Sequence, residues 1–166
     1  PETMDADWVY SYVPTYEFEG RSIMDYLINQ WWPSKNMGRP LKVAHVGLSD
    51  YASFNMYQKG FDWILAQNPG KAEIKKVTGT GSQTACASEG GAIQDSDVTI
   101  MTLVGTASGT FLKEAFARGY KGGIVGCTIS VLGVWPMVTS LCPKEGLDGL
   151  LIPHYYPLWS DGTSYT

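Results

Sequence analysis

The sequence predicts an α/β fold, a three-layer α/β/α arrangement with a parallel sheet. Apolar segments rich in Val, Ile and Leu recur at 41–47 (LKVAHVG), 97–104 (DVTIMTLV) and 122–127 (GGIVGC), and stretches with helical periodicity separate them. Such alternation implies βαβ units, and right-handed crossovers place helices on both faces of the sheet. Three strand ends run into small or hydroxyl-bearing loops: Gly47-Leu48-Ser49-Asp50-Tyr51, Gly105-Thr106-Ala107-Ser108 and Gly126-Cys127-Thr128. Open α/β sheets bind ligands at that edge.

Residues 8–13 (WVYSYV) alternate as a short strand, ended by Pro14. Thr15 is placed to cap a helix, with Glu17 and Glu19 favourable in its first turn. Met24, Leu27, Ile28 and Trp31 share one helical face, and Pro33 stops the helix. After the buried strand at 41–47, Phe54, Tyr57, Phe61, Ile64 and Leu65 form a helical stripe that ends at Asn68-Pro69-Gly70. Residues 73–78 read as a strand with polar alternation, nearer an edge. Residues 82–93 read as a weaker helix, because Gly90 and Gly91 each cost about 1 kcal/mol relative to Ala. Phe111, Leu112, Ala115 and Phe116 mark the helix after the central strand 97–104, with Arg118-Gly119 as its stop signal. The segment 130–145 is broken by Pro136 and Pro143, and 147–153 is a last short strand.

The 166 residues suffice for one domain with a real core, and 44% hydrophobic with 17% charged residues describes a globular chain. A net charge of −4 without any Lys/Arg-rich run argues against nucleic-acid or anionic-membrane partners. No apolar stretch is long enough to span a bilayer. The chain starts at Pro1, which reads as a trimmed piece, so the lack of a leader says little about compartment. Cys86, Cys127 and Cys142 show no metal-ligand spacing and read as small buried thiols.

Motifs for chemistry are sparse. Gly105-x-x-x-Gly109-Thr110 lacks the lysine and the glycine spacing of a phosphate-binding loop, and Gly79/Gly81 offers only GxG. His45 lies mid-strand and reads as a core or sheet-face histidine; His154 sits in an aromatic-rich segment, PHYYP. Cys127 stands at a strand end with no basic neighbour to lower its pKa. Asp5, Asp7, Asp95 and Asp97 form no metal loop and read as solvated turn residues and strand starts. Phe54 and Tyr57 belong to the core face of their helix, whereas Tyr51 precedes it and is free to face a ligand. No catalytic residue, metal or cofactor is expected. The competing class is a flavodoxin-like or hydrolase-type enzyme with Cys127 or Ser108 as nucleophile.

Four segments carry a resemblance: DWVYSYVPTYEFEGRSIMDYLINQ, RPLKVAHVGLSDYASFNMYQKGFDWIL, SDVTIMTLVGTASGTFLKEAFARGYKGGIVG and EGLDGLLIPHYYPLW. In this order and spacing the chain resembles type I periplasmic solute-binding proteins, in particular the branched-chain amino acid receptor group of ABC transporters. The resemblance implies two flavodoxin-like α/β lobes that close on a small solute. It assigns 1–40 to the crossover into the second lobe, 41–153 to that lobe, and 154–166 to the return toward the first. The implied ligand contacts are Ser49, Tyr51 and Ser53 in the first loop, Gly105, Thr106 and Ala107 in the second, and Thr128 in the third. The family's Tyr-Gly pair falls at Ser53 and Phe54, with Tyr51 two residues earlier as its substitute. Thr128 stands where amino-acid binders often carry an acidic residue; Asp50 is the nearest acid on the other loops.

By the same resemblance the function is capture and release, not catalysis, by a periplasmic or extracellular receptor, with a lipid anchor on the full-length protein left open. Its partners are a small solute (amino acid, amide, or aromatic or organic acid) and a membrane permease, without nucleic acid or direct membrane insertion. A neutral, hydroxyl-lined half-site favours a solute without a free α-ammonium. A ligand-sensing domain of the same fold is the alternative. One lobe alone is expected to bind weakly and to leave the surface around Tyr51, Thr106 and Thr128 exposed.

Overall fold

The computed structural model describes residues 15–79, 85–131 and 134–153. Expectations for 8–13, for the start of the 82–93 helix and for His154 onward fall outside these residues. The described residues build five strands, β1 (Leu41–Leu48), β2 (Ala72–Gly79), β3 (Val98–Met101), β4 (Gly123–Gly126) and β5 (Leu150–Leu151), in one sheet of order β2-β1-β3-β4-β5. Every pairing is parallel, with Val43 beside both Ile74 and Val98, Met101 beside Gly126, and Ile124 beside Leu150. The segments expected at the centre are there, each flanked by strands on both sides.

Period-2 alternation sorts each strand between two cores. Leu41, Val43, Val98, Ile100 and Val125 point to one face, where they meet Ile23, Met24 and Leu27 of α1 (Tyr16–Tyr26 and its continuation) and Tyr57, Phe61 and Ile64 of α2 (Ala52–Gln67). Ala44, Val46, Leu48 and Met101 point to the other, against Ile93 after α3 (Ala87–Ala92), Phe111, Leu112 and Ala115 of α4 (Thr106–Ala117), Val131 at the end of the short α5 (Thr128–Val131) and Val138 of α6 (Trp135–Leu141).

Thr15 caps α1 as its sequence predicts, its hydroxyl accepting from Phe18 N at 3.4 Å. The helix then widens into a π turn over Leu27–Trp31, with Trp32 N donating to Leu27 O at 2.8 Å, before Pro33 opens a short 3-10 turn. The α1–α2 pair crosses at close range because two glycines face the opposite backbone. A Cβ on Gly60 would lie 2.2 Å from Glu17 O, and one on Gly20 2.8 Å from Tyr57 O.

Three elements are shorter or differently anchored than the sequence implies. Only Val98–Met101 of 97–104 pairs as strand, and of the described residues 85–93 only Ala87–Ala92 are helical. Asp97 is not a solvated strand start. Its carboxylate accepts from Arg39 Nη1 and Nη2 at 2.7 and 2.6 Å and from Lys42 N at 2.9 Å, pinning the start of β3 to β1. Asp95 likewise pairs with Lys75 of β2.

Candidate functional site at the strand ends

All five strands run the same way, so their carboxyl ends lie along one edge, and β1, β3 and β4 are consecutive neighbours there. The loops that leave these three strands hold every residue singled out from the sequence. After β1, Ser49 N and Oγ both donate to Gly79 O, at 3.1 and 3.2 Å, tying the loop to the end of β2. Tyr51 is the N-cap of α2 with extended backbone and is 41% exposed. Ser53, one turn in, is buried, and its hydroxyl has no hydrogen-bond partner.

After β3 the chain turns sharply into α4. Gly105 is the N-cap with φ 61° and ψ −138°, a conformation open only to glycine at low cost. Thr106 is exposed, and Ala107 is buried, its carbonyl accepting from Cys86 Sγ at 3.6 Å. Ser108 is committed inward: its hydroxyl donates to Leu103 O at 3.0 Å. Neither α2 nor α4 has a side-chain cap. The first-turn N–H groups of a helix lack intrahelical partners and carry the positive end of its dipole, so this edge offers two anion-accepting termini.

The third loop differs. Thr128 is half-buried, and its N–H donates to Glu19 Oε1 at 2.7 Å while its hydroxyl donates to Pro153 O at 3.3 Å. Glu19 is 2% exposed, and its other oxygen accepts from Tyr57 Oη at 2.7 Å. Local reading missed this residue, since an acid in a first turn is ordinary. Its position on the same stripe as Ile23 and Leu27 was the available signal, because a charged residue in a buried stripe needs partners from elsewhere.

The candidate nucleophile Cys127 is not activated, and neither is Cys86. Burial pushes the Cys127 thiol well above its ordinary range, helped by the nearby Glu19 charge, and pushes Cys86 up to about 12. Neither is a thiolate at neutral pH. His45 is fully buried, its two ring nitrogens taken up by Gln58 and Thr102. Among the described residues no three His, Cys, Asp or Glu side chains cluster to hold a metal. No helix among them is long and apolar enough to cross a membrane. A cleft of about 730 Å³, lined by Trp31, Asp97, Tyr120, Gly123 and Leu150, opens at the opposite, amino-terminal edge of the sheet.

No sequence-family profile matches the chain, and no curated protein sequence does. Its fold, however, is that of a lobe of type I periplasmic binding proteins. A fatty acid ABC transporter substrate-binding protein from Thermomonospora curvata superposes with a TM-score of 0.70 at 15% identity, over 87% of this chain and 36% of that one. The leucine-binding protein LivK from Thermotoga maritima gives 0.66 at 15% identity, over 84% and 37%. A solute-binding protein of an ABC transporter from Rhodopseudomonas palustris, in complex with benzoate, gives 0.55 at 19% identity, over 70% and 30%. The chain thus spans about a third of the length of the structures it matches, and the likeness establishes its fold.

Proposed function

We propose that this chain is one lobe of an extracytoplasmic solute-binding protein that serves an ABC transporter, and that it captures a small organic solute without turning it over. In this reading 1–40 enter the lobe, 41–153 form it, and 154–166 lead back to a second lobe. The solute lies over Ser49, Tyr51, Ser53, Gly105, Thr106 and Ala107, with Thr128 at the rim. A membrane permease receives it in the periplasm or outside the cell. The observation that carries the reading is the pair of uncapped helix N-termini, α2 and α4, on adjacent loops of one sheet edge and beside no catalytic constellation.

The solute class follows from the same edge. Two helix N-termini suit a carboxylate. Leucine, benzoate and fatty acids, named for three structural neighbours, share a carboxylate on an apolar body. The third loop offers no comparable terminus, because Glu19 already occupies the N–H of Thr128. The Thr128 side chain offers an ammonium only a neutral hydroxyl, and the buried Glu19 carboxylate is taken up by Thr128 N and Tyr57 Oη, so a carboxylic acid without a free ammonium group is favoured over an amino acid. A thermal-shift screen of the two-lobed protein with leucine, benzoate and a medium-chain fatty acid tests this. Stabilisation by benzoate or the fatty acid is expected. Stabilisation by leucine alone would reverse the solute class, and stabilisation by no organic acid, amide or amino acid would remove the binding function.

A further inference from the structure

The loop after β4 is held from three directions. From β3, Met101 O accepts both Cys127 N at 3.1 Å and Ser130 Oγ at 2.9 Å. From beyond β5, Pro153 O accepts the Thr128 hydroxyl. From α1, 109 residues back along the chain, Glu19 accepts the Thr128 N–H. Glu19 is itself fixed by the hydroxyl of Tyr57, whose ring stacks on Tyr16 at 5.3 Å between centroids. The Cys127 side chain, next in the chain to Thr128, is fully buried beside the Tyr57 hydroxyl and within range of the Glu19 charge.

The carboxylate has no cationic partner among the described ion pairs; two neutral donors satisfy it. Each oxygen takes one donor, so a single buried side chain bridges the loop amide of Thr128 and the α2 hydroxyl of Tyr57. The loop's own hydroxyls, Thr128 and Ser130, reach the carbonyls of Pro153 and Met101, so the bond to α1 comes from Glu19.

We propose that Glu19 is a positioning residue that sets the third strand-end loop from the crossover helix, so that α1 and the loop at Thr128 form one rigid unit. This deepens the solute-binding reading and rests on it only for the loop's purpose. The rigidity itself is measurable without any solute. In a clamshell receptor the consequence is that motion of the chain entering the lobe is transmitted to the rim of the solute surface through one side chain.

The test compares thiol labelling of the folded chain at each cysteine, resolved by peptide mass, in Glu19→Ala, Glu19→Gln and Tyr57→Phe. Buried thiols react through local opening, so rates at single sites report local rigidity. Gln retains an oxygen for Thr128 N and an amide that can donate to the Tyr57 hydroxyl, yet removes the charge. Expected is a rise of about tenfold or more at Cys127 in Glu19→Ala, with Cys86 and Cys142 unchanged and Glu19→Gln within about twofold of the parent chain. The proposal is overturned by an unchanged Cys127 rate in Glu19→Ala, by an equal rise at all three cysteines, or by Glu19→Gln reacting as fast as Glu19→Ala. If Glu19→Ala does not fold, Tyr57→Phe decides: about a threefold rise confined to Cys127 supports the junction, and no rise overturns it. Failure of the solute screen would leave these rates untouched, so the two readings fail separately.

Discussion

The Nδ1 of His45 lies 2.8 Å from the Oε1 of Gln58, inside the core and closed off from solvent. Gln58 is oriented by Asp62, whose carboxylate accepts from Gln58 Nε2 at 2.7 Å, so the amide oxygen must face the imidazole and Nδ1 carries the proton. Nε2 is then an acceptor, and the Thr102 hydroxyl 3.0 Å away serves it. That hydroxyl also lies 3.1 Å from Val46 O, an alternative acceptor. Phe54 stacks on the ring at 4.1 Å, Phe61 meets it edge-on, and Lys76 of β2 is its register neighbour.

This histidine makes stability depend on pH. Burial holds its pKa at about 4 against an ordinary 6.5, with the Gln58 hydrogen bond opposing and the Lys76 charge assisting. Between those values the unfolded chain takes up a proton that the folded chain refuses. Stability is therefore full above the unfolded pKa and falls as pH drops toward 4, by a total on the order of 3 kcal/mol. Urea midpoints should fall between about pH 7 and pH 4.5, and His45→Gln should flatten that dependence. An equal slope in the variant would assign the effect to other groups.

Gly60 is where α1 and α2 touch backbone to backbone. The obstacles to a Cβ there are Glu17 O at 2.2 Å and Arg21 N at 2.9 Å, neither of which is a movable side-chain end. Gly60→Ala should cost about 3 kcal/mol by forcing the helices apart. Gly70→Ala is the control, with open space but φ 75°, and should cost about 1–2 kcal/mol. Equal midpoints for the two variants in a denaturant titration would refute the close crossing.

Asp97 links Arg39 to the start of β3, and Arg39 also stacks on Trp32 at 5.1 Å. The Arg39 hydrogen bonds, with the Lys42 amide, draw its pKa below the usual 3.8. A depressed carboxylate contributes above its unfolded pKa and loses that contribution as pH falls through the folded value. Asp97→Asn should lower stability by about 1–2 kcal/mol at neutral pH, allowing for partial exposure. The gap between variant and parent should close in acid, and calorimetric melts at both pH values would show it.

All three cysteines are buried thiols outside any disulfide, with raised pKa values. A chromogenic disulfide reagent at mildly alkaline pH should find no fast-reacting thiol in the native chain and three after denaturation. A single rapid native equivalent would revive a nucleophilic role for one of them.

The sheet was readable because parallel strands buried on both faces are runs of Val, Ile and Leu, and each run here ends at small or hydroxyl-bearing residues. The strand-end loops followed from that alone; Tyr51 and Thr106 are exposed there, whereas Thr128, expected exposed with them, is half-buried because its N–H and hydroxyl are bonded to Glu19 and Pro153. What stayed hidden was long-range. Glu19 and Thr128 are partners across 109 residues, and Arg39 and Asp97 across 58. Each residue has an ordinary local explanation, a first-turn acid or a strand-start Asp, that satisfies the sequence pattern without its partner. The excess strand length read at 102–104 has a similar cause. Thr102 N still bonds to Val46 O, so the apolar run goes on after the paired strand has ended.

The order β2-β1-β3-β4-β5 also bears on how the chain is made. During synthesis β1 leaves the ribosome first, and β2 pairs along one of its sides once residue 79 has emerged. Its other side, Val43 to Val46, waits until Val98–Met101 appears. From then on every newcomer adds at a border already built: β4 on β3, then β5 on β4. No strand has to be threaded between two others, so the sheet can grow in chain order as the polypeptide emerges, at the ribosome or across a membrane. Until Val98–Met101 arrives, β1 keeps one unpaired border, and at that stage the growing sheet is most open to pairing with another chain.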